Sequence, residues 1–128
     1  MSSLLDEQFN PDESLYRGVV KANWDYEKAR PSSATFKDSN GISVDRDGGR
    51  SESECIESLL ANRRWKAIAK VTVQDVLDVS AIVIYKPVVP KNIFHSEIHD
   101  STSKLALPQS KSKKLRDLST EVYIDTSQ

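Results

Sequence analysis

Both histidines of the chain fall in one short run, His95-Ser96-Glu97-Ile98-His99-Asp100, beside two carboxylates. On a strand, His95, Glu97 and His99 point to one face and Phe94, Ser96 and Ile98 to the other. The two imidazoles then stand about 13 Å apart, at roughly 3.3 Å per residue, too far to share an ion without a bend. On a helix they would share a face, but the zinc-protease pattern needs glutamate directly after the first histidine, where Ser96 stands. His95 is therefore the candidate general acid or base, since imidazole changes charge near neutral pH. Glu97 is a candidate ligand contact, and neither metal nor cofactor is expected. The competing reading is a solvated polar face on an edge strand.

A second candidate is Arg17, between Tyr16 and Gly18. Its guanidinium fork could clamp a phosphate or carboxylate, or pair with an acid at the sheet edge. Lys37 and Ser33 would add a cation and a hydroxyl to an anion site. Ser32, Ser33 and Thr35 have no adjacent His or Asp, so no nucleophilic triad is indicated. Lys104, Lys111, Lys113, Lys114 and Arg116 form a basic concentration without interleaved aromatics, which supplies no base stacking and suits a solvated helix face. Trp24 and Trp65 read as core or hinge packing, and Cys55 as core. The four glycines never approach the spacing of a phosphate loop.

The elements that must position these residues follow from composition and pattern. The 128 residues carry 18 Lys and Arg against 19 Asp and Glu, a net charge of -1 that argues against a general DNA-coating protein. At 38% hydrophobic and 29% charged, the chain has the composition of a folded domain. One cysteine excludes a disulfide framework. No apolar run approaches the ~20 residues of a membrane span, and Asp6 and Glu7 do not suit a signal peptide. A single cytoplasmic domain over 1–128 is expected, away from membranes, with 1–12 and 100–112 flexible.

Leu15 to Val20 reads as a strand bent at Gly18. A hairpin is expected from Ala34–Lys37 and Ile42–Asp45 around Asn40-Gly41. Lys37, Asp45 and Arg46 would then form cross-strand ion pairs. A helix over about 51–63 is marked by the Ser51/Glu54 capping box and the stripe Cys55, Ile56, Leu59, Leu60. Lys66 to Val73 reads as a strand, and 74–78 fits either a helical turn or a strand. Ala81 to Tyr85, β-branched on both faces, reads as a strand at the sheet centre, and 93–98 as an edge strand open to a second copy. A last helix is expected over about 111–122, with Leu115, Leu118 and Val122 on one side. Together these give an α+β fold: a small, mostly antiparallel or mixed sheet with two helices.

Leu15-Tyr16-Arg17, then Arg30-Pro31-Ser32-Ser33-Ala34-x-Phe36-Lys37-Asp38, then Ile42-Ser43-Val44-Asp45, with His95 after Pro87 and Pro90, resembles the pattern of a group of short bacterial proteins. The resemblance implies a bacterial, cytoplasmic origin and carries over no catalytic residues. The chain departs from it at Gln74 to Val79 and at His99. A second likeness is to ADP-ribosyltransferases, with Arg17, Ser33 and Glu97 in the roles of early arginine, strand serine and late glutamate. The Glu-x-Glu pair here, Glu52 and Glu54, opens a helix instead.

The acidic start, the basic end and the lack of a complete catalytic constellation point to a non-enzymatic module that binds a protein partner. The alternative is a small enzyme or binder acting on a phosphate-containing substrate, RNA or nucleotide. In that reading Arg17 holds the anion and His95 moves the proton. The two divide on whether Arg17 and His95 converge on one face, which strand order decides.

Overall fold

The computed structural model describes residues 4–127. Its strands are β1 (Ser14–Val19), β2 (Trp24–Asp25), β3 (Arg30–Pro31), β4 (Ile42–Arg46), β5 (Ala67–Thr72), β6 (Ile82–Tyr85), β7 (His95–His99) and β8 (Thr120–Ile124). Its helices are α1 (Glu52–Asn62), α2 (Val73–Asp78) and α3 (Gln109–Leu118). Six strands form an antiparallel sheet in the order β6-β7-β4-β1-β5-β8, and β2 and β3 pair as a separate ribbon. The α+β reading holds. Among the described residues no helix is long and apolar enough to cross a membrane.

Strand alternation sorts the side chains onto two faces. Leu15 and Val19 of β1, Ile42 and Val44 of β4, Ala67, Ala69 and Val71 of β5 and Ile98 of β7 lie in the larger core. They pack with Val76 of α2, Leu115 of α3 and Phe36 of the 3-10 turn Ser33–Phe36. Burying each Leu, Ile or Phe there stabilises by roughly 1.5–3 kcal/mol. Tyr16 and Ile68 face the other way and pack against Cys55 and Leu59 of α1. The sheet is thus covered by α1 on one side and by α2 and α3 on the other.

Local signals explain the helix starts. The Ser51 hydroxyl accepts from Glu54 N (3.2 Å) while the Glu54 carboxylate accepts from Ser51 N (3.0 Å). Thr72 and Asp75 repeat this exchange at 3.1 and 2.9 Å, which ends β5 and commits the ambiguous 74–78 stretch to α2. Each cap contributes about 1 kcal/mol.

The structure corrects four expectations. The 34–45 hairpin does not form: Ser33–Phe36 is a 3-10 turn, and β4 pairs with β1 and β7. Contacts distant in sequence hold that turn, with Arg17 donating to Thr35 O (2.9 Å) and Ser112 to Phe36 O (2.8 Å). The Asn40-Gly41 turn survives, with Gly41 at φ 94°, and leads into β4. The expected cross-strand pairs therefore give way: Asp45 accepts from Asn92, and Arg46 pairs with Glu13.

The centre and edge are also exchanged. β6 is the edge strand, and β7 lies inside the sheet between β6 and β4. Val83 of β6 packs against the larger core, and Tyr85 meets the incoming chain. Tyr85 Oη accepts from Leu5 N (3.1 Å), and Arg46 stacks on both Tyr85 and Phe9. Finally, the last helix ends at Leu118, and Val122 belongs to β8; both expected helices form, and α2 joins them from the stretch left open between helical turn and strand.

Of the lead-in over 1–12, residues 1–3 lie outside the described residues. The segment that follows is docked by Arg46, which is only 4% exposed. Its guanidinium makes a two-pronged pair with Glu13 (2.8 Å to each oxygen) and donates to Asp6 O at 2.5 Å. Glu13 also accepts from Gly48 N (3.0 Å).

Candidate functional site

Strand register settles whether Arg17 and His95 converge. Tyr16 stands opposite Asp45, and Asp45 opposite His95, so these three share the face covered by α1. Arg17, the next residue on β1, alternates to the other face. The two residues of the phosphate-enzyme reading are therefore on opposite sides of the sheet.

Each is already engaged in structure. The β1–β4 ladder stops after Leu15↔Arg46 and Tyr16↔Asp45, and there the Arg17 guanidinium takes over the missing backbone donors. It donates to Ser43 O (2.8 Å) and, from Nε, to Thr35 O (2.9 Å). Burial pulls its pKa below the ordinary arginine value and Asp38 opposes the shift, yet guanidinium stays charged. His95 Nδ1 donates to Lys86 O (2.8 Å).

The remaining candidates form two further groups. Glu97 accepts from His99 Nε2 (2.8 Å), with Lys86 Nζ 3.7 Å away. A side chain on Gly41 would collide with that pair. Ser33 Oγ accepts from Gln109 of α3 (3.1 Å), and Lys37 closes the 3-10 turn through its own N–H to Ala34 O (3.2 Å). Among the described residues no three of His, Cys, Asp and Glu gather as metal ligands.

Two of the C-terminal basic residues are already paired. Lys111 is held by Asp100 (2.7 Å) and Ser80 O (2.8 Å), and Arg116 by Asp117 (2.7 Å).

The arrangement best suited to a ligand lies at the other end of the molecule. A cleft of about 350 Å³ is lined by Val20, Lys21, Arg63, Arg64 and Lys66. Among the described residues no carboxylate lines it. Three elements build it: the 3-10 turn Lys21–Asn23 after β1, the segment that follows α1, and the residue that leads into β5. Trp65 fixes the middle. Its indole donates to Leu59 O (3.2 Å) and lies against Gly18, where any Cβ would run into the ring.

The cations are steered by rings and by one acid. The Arg63 guanidinium sits 4.5 Å from the Trp65 ring centre, and Lys66 Nζ 5.5 and 5.4 Å from those of Trp24 and Tyr26. Arg64 pairs with Asp125 (2.8 Å), whose hydrogen bond holds the arginine pKa above its ordinary value. Lys66 Nζ donates to Asp125 O (2.7 Å). Asp125 offsets the charge of Arg64, and the cations in excess of it are what an entering anion would meet.

A second cleft, of about 440 Å³, is lined by Arg30, Pro31, Arg116, Asp117, Ser119 and Glu121. The β2–β3 ribbon connects the two: Trp24, beneath Lys66, is paired with Pro31.

The cationic cleft has a signal in the sequence. Arg63-Arg64-Trp65-Lys66 is a contiguous basic and aromatic run. Its arginines read as the dipole-favoured end of a helix and its tryptophan as packing, which hid their common use. Comparison of the chain with protein-family models, with curated proteins and with solved structures finds no match in any of the three.

Proposed function

We propose that this chain is a macromolecule-binding module, not an enzyme, and that its cationic cleft holds an anionic segment of the partner. The observation that carries this reading is the convergence of Lys21, Arg63, Arg64 and Lys66 on one cleft without a lining carboxylate. The net charge of -1 does not oppose it, since at physiological salt charges beyond roughly 8–10 Å are screened and the local patch dominates. The separation of Arg17 from His95 on the sheet weighs against the phosphate-enzyme alternative.

The test is a backbone-amide chemical-shift titration with short-chain polyphosphate as the anionic probe. Shifts are expected to cluster on Lys21 and Arg63 to Lys66, to fade with added salt, and to vanish in the Lys21→Ala/Arg63→Ala variant. Shifts grouped on Lys111, Lys113 and Lys114 instead, or none at all, would refute the reading.

A further inference from the structure

We infer that the anionic partner is single-stranded nucleic acid, running from the cationic cleft across the β2–β3 ribbon into the second cleft. This rests on the cationic cleft being the binding site and adds the class of ligand.

Three observations favour it. The first is the Tyr26 ring, 58% exposed at the tip of the ribbon and 5.4 Å from Lys66 Nζ. Asp25 Oδ1 accepts from both Glu27 N and Lys28 N (3.1 Å each), so the turn that presents this ring is ordered. An exposed aromatic beside phosphate-binding cations is the stacking platform that single strands use.

The second is Arg30 Nε, the one buried side-chain donor among the described residues without a partner. It belongs to a residue lining the second cleft, on the far side of the ribbon from Lys66. A ligand acceptor would satisfy it once the Arg30 side chain, 39% exposed, turns outward.

The third is the mixed lining of that cleft. Asp117 and Glu121 stand there with Arg30 and Arg116. Those carboxylates repel a peptide acid and a backbone phosphate alike, whereas a neutral base edge, with both donors and acceptors, matches the mixed lining. A duplex hides its base faces from Tyr26, so a single strand is the fitting form.

The experiment is fluorescence anisotropy with three labelled probes: a single-stranded oligonucleotide, its duplex, and a poly-glutamate peptide of matched charge. The single strand is expected to bind tightest. Tyr26→Ala should weaken it about ten- to a hundredfold, whereas Tyr26→Phe retains it. Lys21→Ala/Arg63→Ala should flatten the dependence of log Kd on log salt by about 1.4, roughly 0.7 per phosphate contact. Because Tyr26 is largely exposed, its variants should fold, which circular dichroism checks. If poly-glutamate binds as tightly and Tyr26→Ala changes nothing, the cleft stands as an anion site and the nucleic-acid inference is overturned. If no probe binds, both readings fall.

Discussion

Glu13→Ala should be among the most damaging single substitutions outside the apolar core. It removes a carboxylate that accepts from Arg46 Nε, Arg46 Nη2 and Gly48 N at 2.8, 2.8 and 3.0 Å. The guanidinium left behind is 4% exposed and keeps only the carbonyls of Asp6 and Gln8 and the Phe9 and Tyr85 rings. Stranding one member of a buried ion pair costs about 3–5 kcal/mol. A domain of this size has roughly 5–15 kcal/mol in all, so about a fifth or more of its stability would go. At roughly 4 °C per kcal/mol, Tm should fall by about 12–20 °C. The Glu13→Ala/Arg46→Met double variant removes both charges and should cost at least ~2 kcal/mol less than the sum of the singles. Urea denaturation of the four proteins gives the cycle. A loss under about 1 kcal/mol for Glu13→Ala, or an additive cycle, would mean that the pair is solvated and that residues 4–13 are not docked as described.

Tyr16 provides a pH prediction. Burial, then Cys55 and Glu52 nearby, push its pKa from 10.0 up to about 12. The unfolded chain loses this proton first, so the stabilisation is complete below pH ~10 and drains away between ~10 and ~12, by at most about 2.7 kcal/mol. Urea midpoints across that range should fall less steeply in Tyr16→Phe, and equal slopes would contradict the assignment. Arg17→Ala should cost about 1–3 kcal/mol by leaving the Thr35 and Ser43 carbonyls without their donor. Thermal melts read that loss, and polyphosphate affinity should be unchanged; a lost affinity would make Arg17 an anion clamp after all.

What was legible in the sequence was whatever its neighbours determine. The α1 cap is written in Ser51 and Glu54, two residues that satisfy one another, β1 in a β-rich run, and β5 in alternation that matches a two-faced sheet. The 34–45 hairpin failed because its first arm is shaped by Arg17 and Ser112, both far along the chain. β6 looked central because apolar density shows that a strand is covered but not by what: part of its cover is the chain's own start, through Leu5 and Arg46 at Tyr85. The site residues divided the same way. His95, Glu97 and His99 do alternate on one strand, yet the partners that occupy them, Lys86 O and the Gly41 turn, come from other elements. The cationic cleft draws on two separated segments, of which only Arg63 to Lys66 left a local trace.

The brevity of the β1–β4 ladder has a mechanical consequence. β1 is matched to β5 at six positions, Ser14 to Val19, but to β4 at two. The sheet is therefore two three-stranded leaves, β6-β7-β4 and β1-β5-β8, joined along a narrow seam. The seam's other fastenings include Arg17 to Ser43 O, Arg46 to Glu13, and the Ser14–Asp47 bonds. With so few ladder bonds there, the seam is held largely by the apolar core, which joins Leu15 and Val19 of one leaf to Ile42, Val44 and Ile98 of the other. Four connections of the chain, β1 to β4, β4 to β5, β5 to β6 and β7 to β8, cross from one leaf to the other, so the covalent chain itself laces the seam shut.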